Sequence, residues 1–277
     1  MNKGSLNDTS NKYKYTNWDF LQGRAEDKSV LQSVLKFHYK TLNREIDDIY
    51  NFEENIDTKS WISTVEFRDV LPNSYEEIID LEVTQHKQLH SYYDFNSETP
   101  VGMETLGQIL YDAFGREAPH SSKRYPSAGA LYPVIPLLIV LHSDKKNNSL
   151  NLSCYVFDST NPRLYKVTQW TPKDIVKVNK LIGSNSNKMY APHCIAYAID
   201  IRRAITKYQA KGYRHALIEV GLMVQSFRES LQQQNNLGER CWSAFSDMPL
   251  THICGLNVRL CPIVLIQWFG FSNLKSN

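Results

Sequence analysis

Hydrophobic residues along the chain are spaced in two ways, one helical and one strand-like. Apolar faces that recur every three or four residues predict helices over residues 29–42, 100–115 and 171–183. Alternating or continuous apolar runs predict strands over residues 135–141, 152–158, 161–167, 194–201 and 261–270. A longer helix, apolar on most faces, is predicted to begin near Gly212 and to be buried. This order of elements predicts an α+β fold without an internal repeat.

The N-terminal part of the chain is polar, acidic and only weakly periodic. Its first residues, MNKGSLNDTSNKYKY, have the composition of a disordered segment. We therefore expect two parts, an N-terminal extension over residues 1–85 that lies over a core and a main domain over residues 86–277.

Composition and charge narrow the classes of function. Hydrophobic residues make up 42% and charged residues 22% of the 277 residues, as in ordinary globular proteins. A formal net charge of +2 gives no reason to expect a nucleic acid or a membrane as partner. The longest apolar runs are about half the length of a membrane span. The first residues lack the apolar core of a signal peptide, so we expect a cytoplasmic location.

The cysteine and histidine patterns do not indicate a metal site. The cysteines are odd in number, with no CxxC pair, so neither a disulfide framework nor a zinc site is predicted. His193 and His215 lie away from carboxylates and thiols at ligand spacing, and we interpret both as structural. The sequence contains no P-loop and no HExxH motif.

The run RYPSAGALYP, residues 124–133, is the most distinctive in the chain. Its small residues allow close approach of a flat or bulky group, because no large side chain intervenes. Pro126 and Pro133 restrict the backbone at both ends. The residues themselves leave two readings open, a cofactor platform or a tight packing corner before a buried strand.

Arg124 and the PSAGALYP run resemble the signature of the SagB/ThcOx branch of the nitroreductase superfamily. Members of this branch are FMN-dependent oxidases that convert azoline rings to azoles on ribosomally made peptides. The resemblance implies a nitroreductase-like fold with a central, mostly antiparallel sheet flanked by helices. It extends over about residues 90–270, and the ending PIVLIQWFG is most similar to the oxidases of microcin-type azole synthetases.

The resemblance also implies which residues form the site. Lys207 and Tyr208 match a catalytic pair in which the lysine acts as general base. Burial or the nearby basic residues would favour its neutral form. The segment WSAF, residues 242–245, matches one that runs along the flavin. The residues that would contact FMN in the RYPSAGALYP and WSAF segments are Arg124, Pro126, Ser127, Ala128, Gly129, Ser243 and Ala244.

One motif departs from the family pattern. Members of the family hold the FMN phosphate with an Arg-Ser-x-Arg motif. The matching residues in this chain are His90, Ser91, Tyr92 and Tyr93. His90, Ser91 and Tyr93 can donate hydrogen bonds, but both arginines are absent. Arg259 is a possible replacement, with a plain surface arginine as the alternative.

The resemblance finally implies an assembly. Related enzymes are homodimers with FMN between the subunits, and they act on a precursor peptide together with a cyclodehydratase. The implied reaction is oxidation of thiazoline and oxazoline rings to thiazoles and oxazoles, with O₂ as electron acceptor. Two alternatives stay open: an NAD(P)H-dependent nitro or quinone reductase, and a flavin-free scaffold that binds peptide or cyclodehydratase.

Overall fold

The structure is a computed structural model, and it describes residues 23–42, 56–70, 74, 76–82, 91–118, 120–143, 150–183, 190–234 and 236–273. His90, one of the predicted phosphate-binding residues, lies outside the described residues. Within the described part of the chain, no helix is long and apolar enough to cross a membrane.

Helices and strands follow the predicted α+β order. The helices are α1 (Lys28–Tyr39), α2 (Ile56–Val65), α3 (Met103–Phe114), α4 (Pro172–Ile182), α5 (Ile201–Tyr208), α6 (Ala210–Gln232) and α7 (Asp247–Ile253), with a 3₁₀ turn at Ala128–Ala130. The strands are β1 (Val134–Val140), β2 (Ser153–Asp158), β3 (Arg163–Lys166), β4 (His193–Ile199), β5 (Leu237–Trp242) and β6 (Ile263–Phe271). Strand β5 was not expected, because its sequence LGERCW lacks an alternating apolar pattern.

The described strands form one six-stranded sheet in the order β3-β2-β1-β4-β6-β5. All neighbouring strands in it are antiparallel. The central strand β4 is buried along its whole length, in agreement with its continuous apolar sequence. The predicted mostly antiparallel sheet flanked by helices is confirmed.

Helices cover both faces of the sheet. On one face, Phe114 of α3 stacks on Phe227 of α6 with ring centroids 5.7 Å apart, and Phe227 meets the edge of Phe269 on β6. Truncating such a buried phenylalanine to alanine costs about 3–5 kcal/mol. On the other face, Val178 of α4 and Leu250 of α7 pack in a second apolar cluster.

Helix α3 begins later than its sequence suggests. We expected Pro100 in its first turn, but Gly102 is the N-cap and the helix begins at Met103. The buried Val101 instead donates its backbone N–H to Nε2 of His193 on β4, at 3.0 Å. This bond holds the preceding chain against the sheet, so the helix starts after it. The expected end at Gly115 is confirmed.

A short helix, α5, lies between β4 and the long helix, where the sequence analysis predicted no element. Lys207 and Tyr208 are the last two residues of α5. Gln209 then breaks the helix with φ 51°, and α6 follows at once. The two helices cross closely, because a Cβ added at Gly212 would lie 1.9 Å from the carbonyl oxygen of Ala204. Glycine is therefore needed at this crossing.

The long helix α6 is less buried than predicted. Leu217 and Ile218 are 40% and 56% exposed. An added Cβ at Gly221 would have no atom within 4 Å in the described chain. The apolar residues of this face therefore remain on the surface of the single chain.

Helix α1 packs into the main core, although it lies in the predicted N-terminal extension. Val34 and Leu35 are almost fully buried, and α1 contacts α5 and α6. Nδ1 of His38 and the hydroxyl of Tyr213 form a buried hydrogen bond of 2.7 Å. By contrast, none of the described residues of α2 is buried. The boundary of the extension at residue 85 stays a prediction.

Candidate functional site

The loop before β1 has an unusual backbone. Gly129, Ala130 and Tyr132 all have positive φ, at 62°, 56° and 47°. For a residue with a Cβ, this left-handed conformation costs about 1–2 kcal/mol. Pro126, Gly129 and Ala130 are exposed, so the outer surface of the loop is built from small side chains and backbone. Nearby contacts must therefore stabilise the conformation.

The predicted catalytic pair lies against this loop. A Cβ added at Gly129 would fall 2.6 Å from the Tyr208 hydroxyl oxygen and 2.9 Å from Nζ of Lys207. The structure therefore brings together the two segments that the sequence singled out separately. Lys207 is exposed on the described chain, whereas we expected burial to favour its neutral form. His215, which we interpreted as structural, packs edge-on against the Tyr208 ring at 5.2 Å.

Ser127 faces inward and not toward the outer surface. Its hydroxyl donates to a carboxylate oxygen of Glu219 at 2.5 Å and accepts from the backbone N–H of Tyr132 at 2.9 Å. Glu219, on α6, is only 2% exposed. Burial raises the pKa of Glu219, while its hydrogen bonds and the charges of Lys123 and Arg203 act in the opposite direction.

Basic side chains support the loop from its sides. Arg203 donates from Nε to the carbonyl oxygen of Leu131 at 2.6 Å. Arg124 forms an ion pair of 2.7 Å with Glu229, and both side chains are more than a third exposed. Burial and the charge of Arg116 lower the pKa of Lys123 to about 8.

The remaining predicted residues lie at the β5 edge of the sheet. The backbone N–H of Tyr92 donates to the carbonyl oxygen of Glu239 on β5 at 2.9 Å. An added Cβ at Gly238 would overlap the Tyr92 ring, so the two segments approach each other closely. Ser91 and Tyr93 are thereby held beside β5.

Arg240 of β5 lies beside Tyr93, one of the predicted phosphate-binding residues. Its guanidinium carbon lies 4.5 Å from the ring centroid of Tyr93 and 4.9 Å from that of Trp242. Within the described residues, Arg240 forms no ion pair. A cation held by two aromatic rings with its charge uncompensated is suited to bind an anion.

A second arginine near Ser91 is already neutralised. Arg228 on α6 pairs with the buried carboxylate of Glu239 at 2.5 Å, and it donates to the Ser91 hydroxyl at 3.4 Å. Gln267 donates to the other oxygen of Glu239 and accepts from the hydroxyl of Tyr197. This network satisfies the buried carboxylate, so Arg228 has a structural role.

The WSAF segment turns away from the end of β5. The indole N–H of Trp242 donates to the carbonyl oxygen of Ala244 at 2.6 Å, and Phe245 is buried. Ser243 is exposed and follows Arg240 closely along the chain. Ser243 and Ala244 thus lie with Ser91 and Tyr93 in one group at the β5 edge.

The site residues therefore form two groups. The loop with Lys207 and Tyr208 precedes β1, and β4 and β6 separate β1 from β5. Three steps of about 4.8 Å between neighbouring strands place β1 and β5 about 14 Å apart. Arg259, our candidate for the missing cation, lines a cleft with Leu35, Lys36 and other residues of α1 and so belongs to neither group.

Sequence reasoning missed Glu219 and Arg240. The signal for Glu219 is a carboxylate among apolar residues on the buried side of a long helix, which demands a partner. The signal for Arg240 is an arginine two residues before the predicted WSAF segment. Neither signal identifies a partner without the fold.

Comparisons with known proteins agree with this architecture. No protein-family model matches the sequence. The microcin B17-processing protein McbC of Escherichia coli is 29% identical over 189 residues, which are 68% of each chain. A chain of the E. coli microcin synthetase McbBCD complex, with truncated pro-MccB17 bound, has a TM-score of 0.79 at 23% identity. That match covers 95% of this chain and 100% of the other.

A protein assigned as a nitroreductase, from Ralstonia eutropha, matches with a TM-score of 0.55 at 13% identity. The match covers 75% of this chain and 97% of that one. The fold is nitroreductase-like. The predicted resemblance to the microcin-type oxidases is also confirmed, through McbC.

Proposed function

We propose that this chain is an FMN-dependent oxidase that converts thiazoline and oxazoline rings to thiazoles and oxazoles in a ribosomally made precursor peptide. The observation that carries the proposal is the meeting of the Lys207 amine and the Tyr208 hydroxyl at Gly129, on an exposed loop of small residues. The processing function in the name of the relative McbC supports the same reaction class.

The loop fits a flat ring on its outer surface. The cavity between the loop and α6, lined by Ser127, Tyr208 and Glu219, has a volume of only about 10 Å³ and holds no ring system. The exposed backbone at Gly129 and Ala130 instead offers a flat surface next to an amine and a phenol. FMN, if bound there, would supply the two-electron acceptor for ring oxidation, with O₂ as the proposed final acceptor.

Lys207 and Tyr208 have different roles at the substrate ring. Nζ of Lys207, when neutral, accepts the proton that leaves the ring carbon. The Tyr208 hydroxyl donates a hydrogen bond to the ring nitrogen and fixes the orientation of the ring. Because Lys207 is exposed on the single chain, covering by the substrate or by another chain is needed to favour the neutral amine.

Arg240 and Tyr93 would hold the phosphate end of FMN, and Ser91, whose hydroxyl contacts Arg228, stays a predicted donor. Arg240 supplies a full positive charge that the sequence motif lacks, and both hydroxyls supply hydrogen bonds. Ser243 and Ala244 adjoin this group and would lie along the flavin. His90 remains a predicted donor outside the described residues.

We also propose a homodimer in which the two groups of each site come from different subunits. One subunit contributes the loop, Lys207 and Tyr208. The other contributes the group at the β5 edge that includes Arg240. The exposed apolar face of α6, with Leu217, Ile218 and Gly221, is suited to contact a second copy. The McbBCD complex with its bound peptide supports peptide substrate and cyclodehydratase partners for this chain as well.

The test of function uses the purified chain, its cyclodehydratase partner and the precursor peptide. Wild type is expected to bind FMN and to remove two hydrogens per azoline, read by peptide mass. Lys207→Ala should keep FMN and lose conversion, whereas Lys211→Ala, an exposed lysine on α6, should convert normally. Failure to bind FMN would favour the scaffold alternative, and rapid NAD(P)H oxidation with added nitro or quinone compounds would favour the reductase.

The test of the dimer uses two impaired variants, assayed at an FMN concentration too low to load Arg240→Ala. Lys207→Ala and Arg240→Ala change opposite halves of each proposed site. Random mixing of their subunits should restore about a quarter of the sites, because one site of each mixed dimer is then intact. No recovery after subunit exchange would contradict a site shared between chains.

A further inference from the structure

Glu219 is a buried carboxylate without a role in the chemistry proposed above. It lies on α6 beneath the loop, 2% exposed, and one of its oxygens accepts from the Ser127 hydroxyl at 2.5 Å. A carboxylate is retained at such a position only when hydrogen bonds offset the loss of water. The bond to Ser127 is therefore the feature to explain.

The bond continues into the backbone of the loop. The Ser127 hydroxyl, oriented by donating to Glu219, accepts from the N–H of Tyr132 at 2.9 Å. The hydrogen bond from the Tyr132 amide to the Ser127 hydroxyl closes a ring over residues 127–132, and Glu219 on α6 holds that hydroxyl in place. Inside that ring lie Gly129, Ala130 and Tyr132, the positions with left-handed backbone.

Two other polar side-chain contacts to this loop are more exposed. The ion pair of Arg124 with Glu229 has both partners more than a third exposed, and such pairs contribute little. Arg203, which donates to the carbonyl oxygen of Leu131, is also exposed. The bond from Ser127 to Glu219 is the one of these contacts that is shielded from water, so we expect it to dominate.

The conformation of the loop determines the geometry of the proposed site. Gly129 lies in direct contact range of the Lys207 amine and the Tyr208 hydroxyl. The small cavity under the loop is lined by Ser127, Tyr208 and Glu219 together. A change in the loop would therefore move the surface that faces the amine and the phenol.

We propose that Glu219 is a positioning residue that, through Ser127, holds the loop over residues 127–132 in the conformation presented to Lys207 and Tyr208. The effect on the backbone is independent of the proposed function. Its consequence for FMN binding and catalysis rests on that function.

Amide hydrogen exchange of the full-length chain tests the backbone effect directly. Ser127→Ala and Glu219→Leu should accelerate exchange of the Tyr132 amide by up to about tenfold, since one hydrogen bond is lost. Glu219→Gln should retain protection, because its amide oxygen can still accept from Ser127. Glu229→Gln is the matched control on the same helix, and it should exchange as wild type does.

Two results would overturn the proposal. One is wild-type protection of Tyr132 in Glu219→Leu, because Ser127→Ala removes the acceptor of the Tyr132 amide directly and so does not test Glu219. The other is an equal loss of Tyr132 protection in Glu229→Gln. If Glu219→Leu does not fold, Glu219→Met takes its place, because a flexible methionine side chain adapts to the same space. Amides of α6 away from residue 219 serve as the internal reference for global opening.

The same variants separate positioning from a merely structural role. Ser127→Ala and Glu219→Leu should each weaken FMN binding and lower kcat several-fold, and the double variant should lose little more than either one, because the two residues act as one unit. Additive losses of FMN affinity and kcat in the double variant would contradict an effect of Glu219 that acts through Ser127. Wild type that binds no FMN would refute the proposed function and leave the exchange result valid.

Discussion

The contact between Gly129 and the Lys207–Tyr208 pair can be tested by adding a single methyl group. In Gly129→Ala, the new Cβ would stand 2.6 Å from the Tyr208 hydroxyl oxygen and 2.9 Å from Nζ of Lys207. The backbone at this position also has φ 62°, which disfavours alanine. The substitution therefore acts on the local backbone and on the site at once.

The backbone effect on stability is small. A left-handed alanine costs about 1–2 kcal/mol relative to glycine. The lower entropy of the unfolded alanine chain offsets about 0.4–1 kcal/mol of this. We expect the free energy of unfolding to fall by about 1 kcal/mol, since the crowded atoms are ends of flexible side chains.

The effect on the site is larger. Normal contact with carbon requires about 3.5 Å, so the amine and the hydroxyl must retreat by about 0.6–0.9 Å. A misplacement of about 1 Å in a reacting group can reduce a rate about a hundredfold. We therefore expect Gly129→Ala to fold normally and to convert azolines about a hundred times more slowly.

Urea unfolding and peptide mass spectrometry measure the two effects separately. The control is Gly107→Ala on the exposed side of α3, where an added Cβ meets no atom within 4 Å. It should gain about 0.5–1 kcal/mol of stability and keep full activity. Wild-type conversion by Gly129→Ala would refute the inferred geometry, and a loss above about 3 kcal/mol would refute our estimate of the backbone effect.

Further predictions concern the phosphate end, pH and the α6 surface. Arg240→Ala should weaken FMN binding by about tenfold and leave riboflavin affinity unchanged, as measured by flavin fluorescence, because only FMN carries the anion. Burial lowers the pKa of His193 to about 3, so the stability that its neutral ring gives above pH 6.5 is lost as pH falls toward 3. Between pH 6.5 and pH 5, the free energy of unfolding measured in urea should fall by about 2 kcal/mol more for wild type than for His193→Gln, because 1.5 pH units correspond to that energy. Gly221→Ala should stabilise the monomer by about 1 kcal/mol and weaken the dimer in sedimentation, if α6 is the contact.

The sequence predicted elements wherever periodicity was strong. Helix α4, with Thr171 as cap and Gly183 at its end, and the central strand β4 were found at nearly the expected residues. The break at Gln209 was not predictable, because a left-handed glutamine has no sequence signature. The edge strand β5 has a glycine and two charged residues, so neither face carries an apolar pattern.

Of the candidate site, the sequence predicted the loop and the Lys207–Tyr208 pair, which stay predictions, but not the residues that contact them from distant segments. The resemblance identified residues 124–133 and the pair Lys207–Tyr208, and the fold places them in contact. Glu219 and Arg240 act through partners from distant segments, Ser127 and Tyr93. Such pairings depend on the rotation of a helix and the register of a strand, which one sequence does not define.

The exposure of Lys207 bears on when the proposed base can form. A lysine accepts a proton only as the neutral amine, and contact with water favours the ammonium. On the single chain Nζ of Lys207 meets Gly129 and lies 5.3 Å from the Tyr208 ring centroid, with its remaining sides open. Flavin, the second subunit and the peptide would each remove water from one of these sides. We therefore expect proton abstraction to require the assembled complex, which would prevent unproductive reactions of the loaded subunit before an azoline arrives.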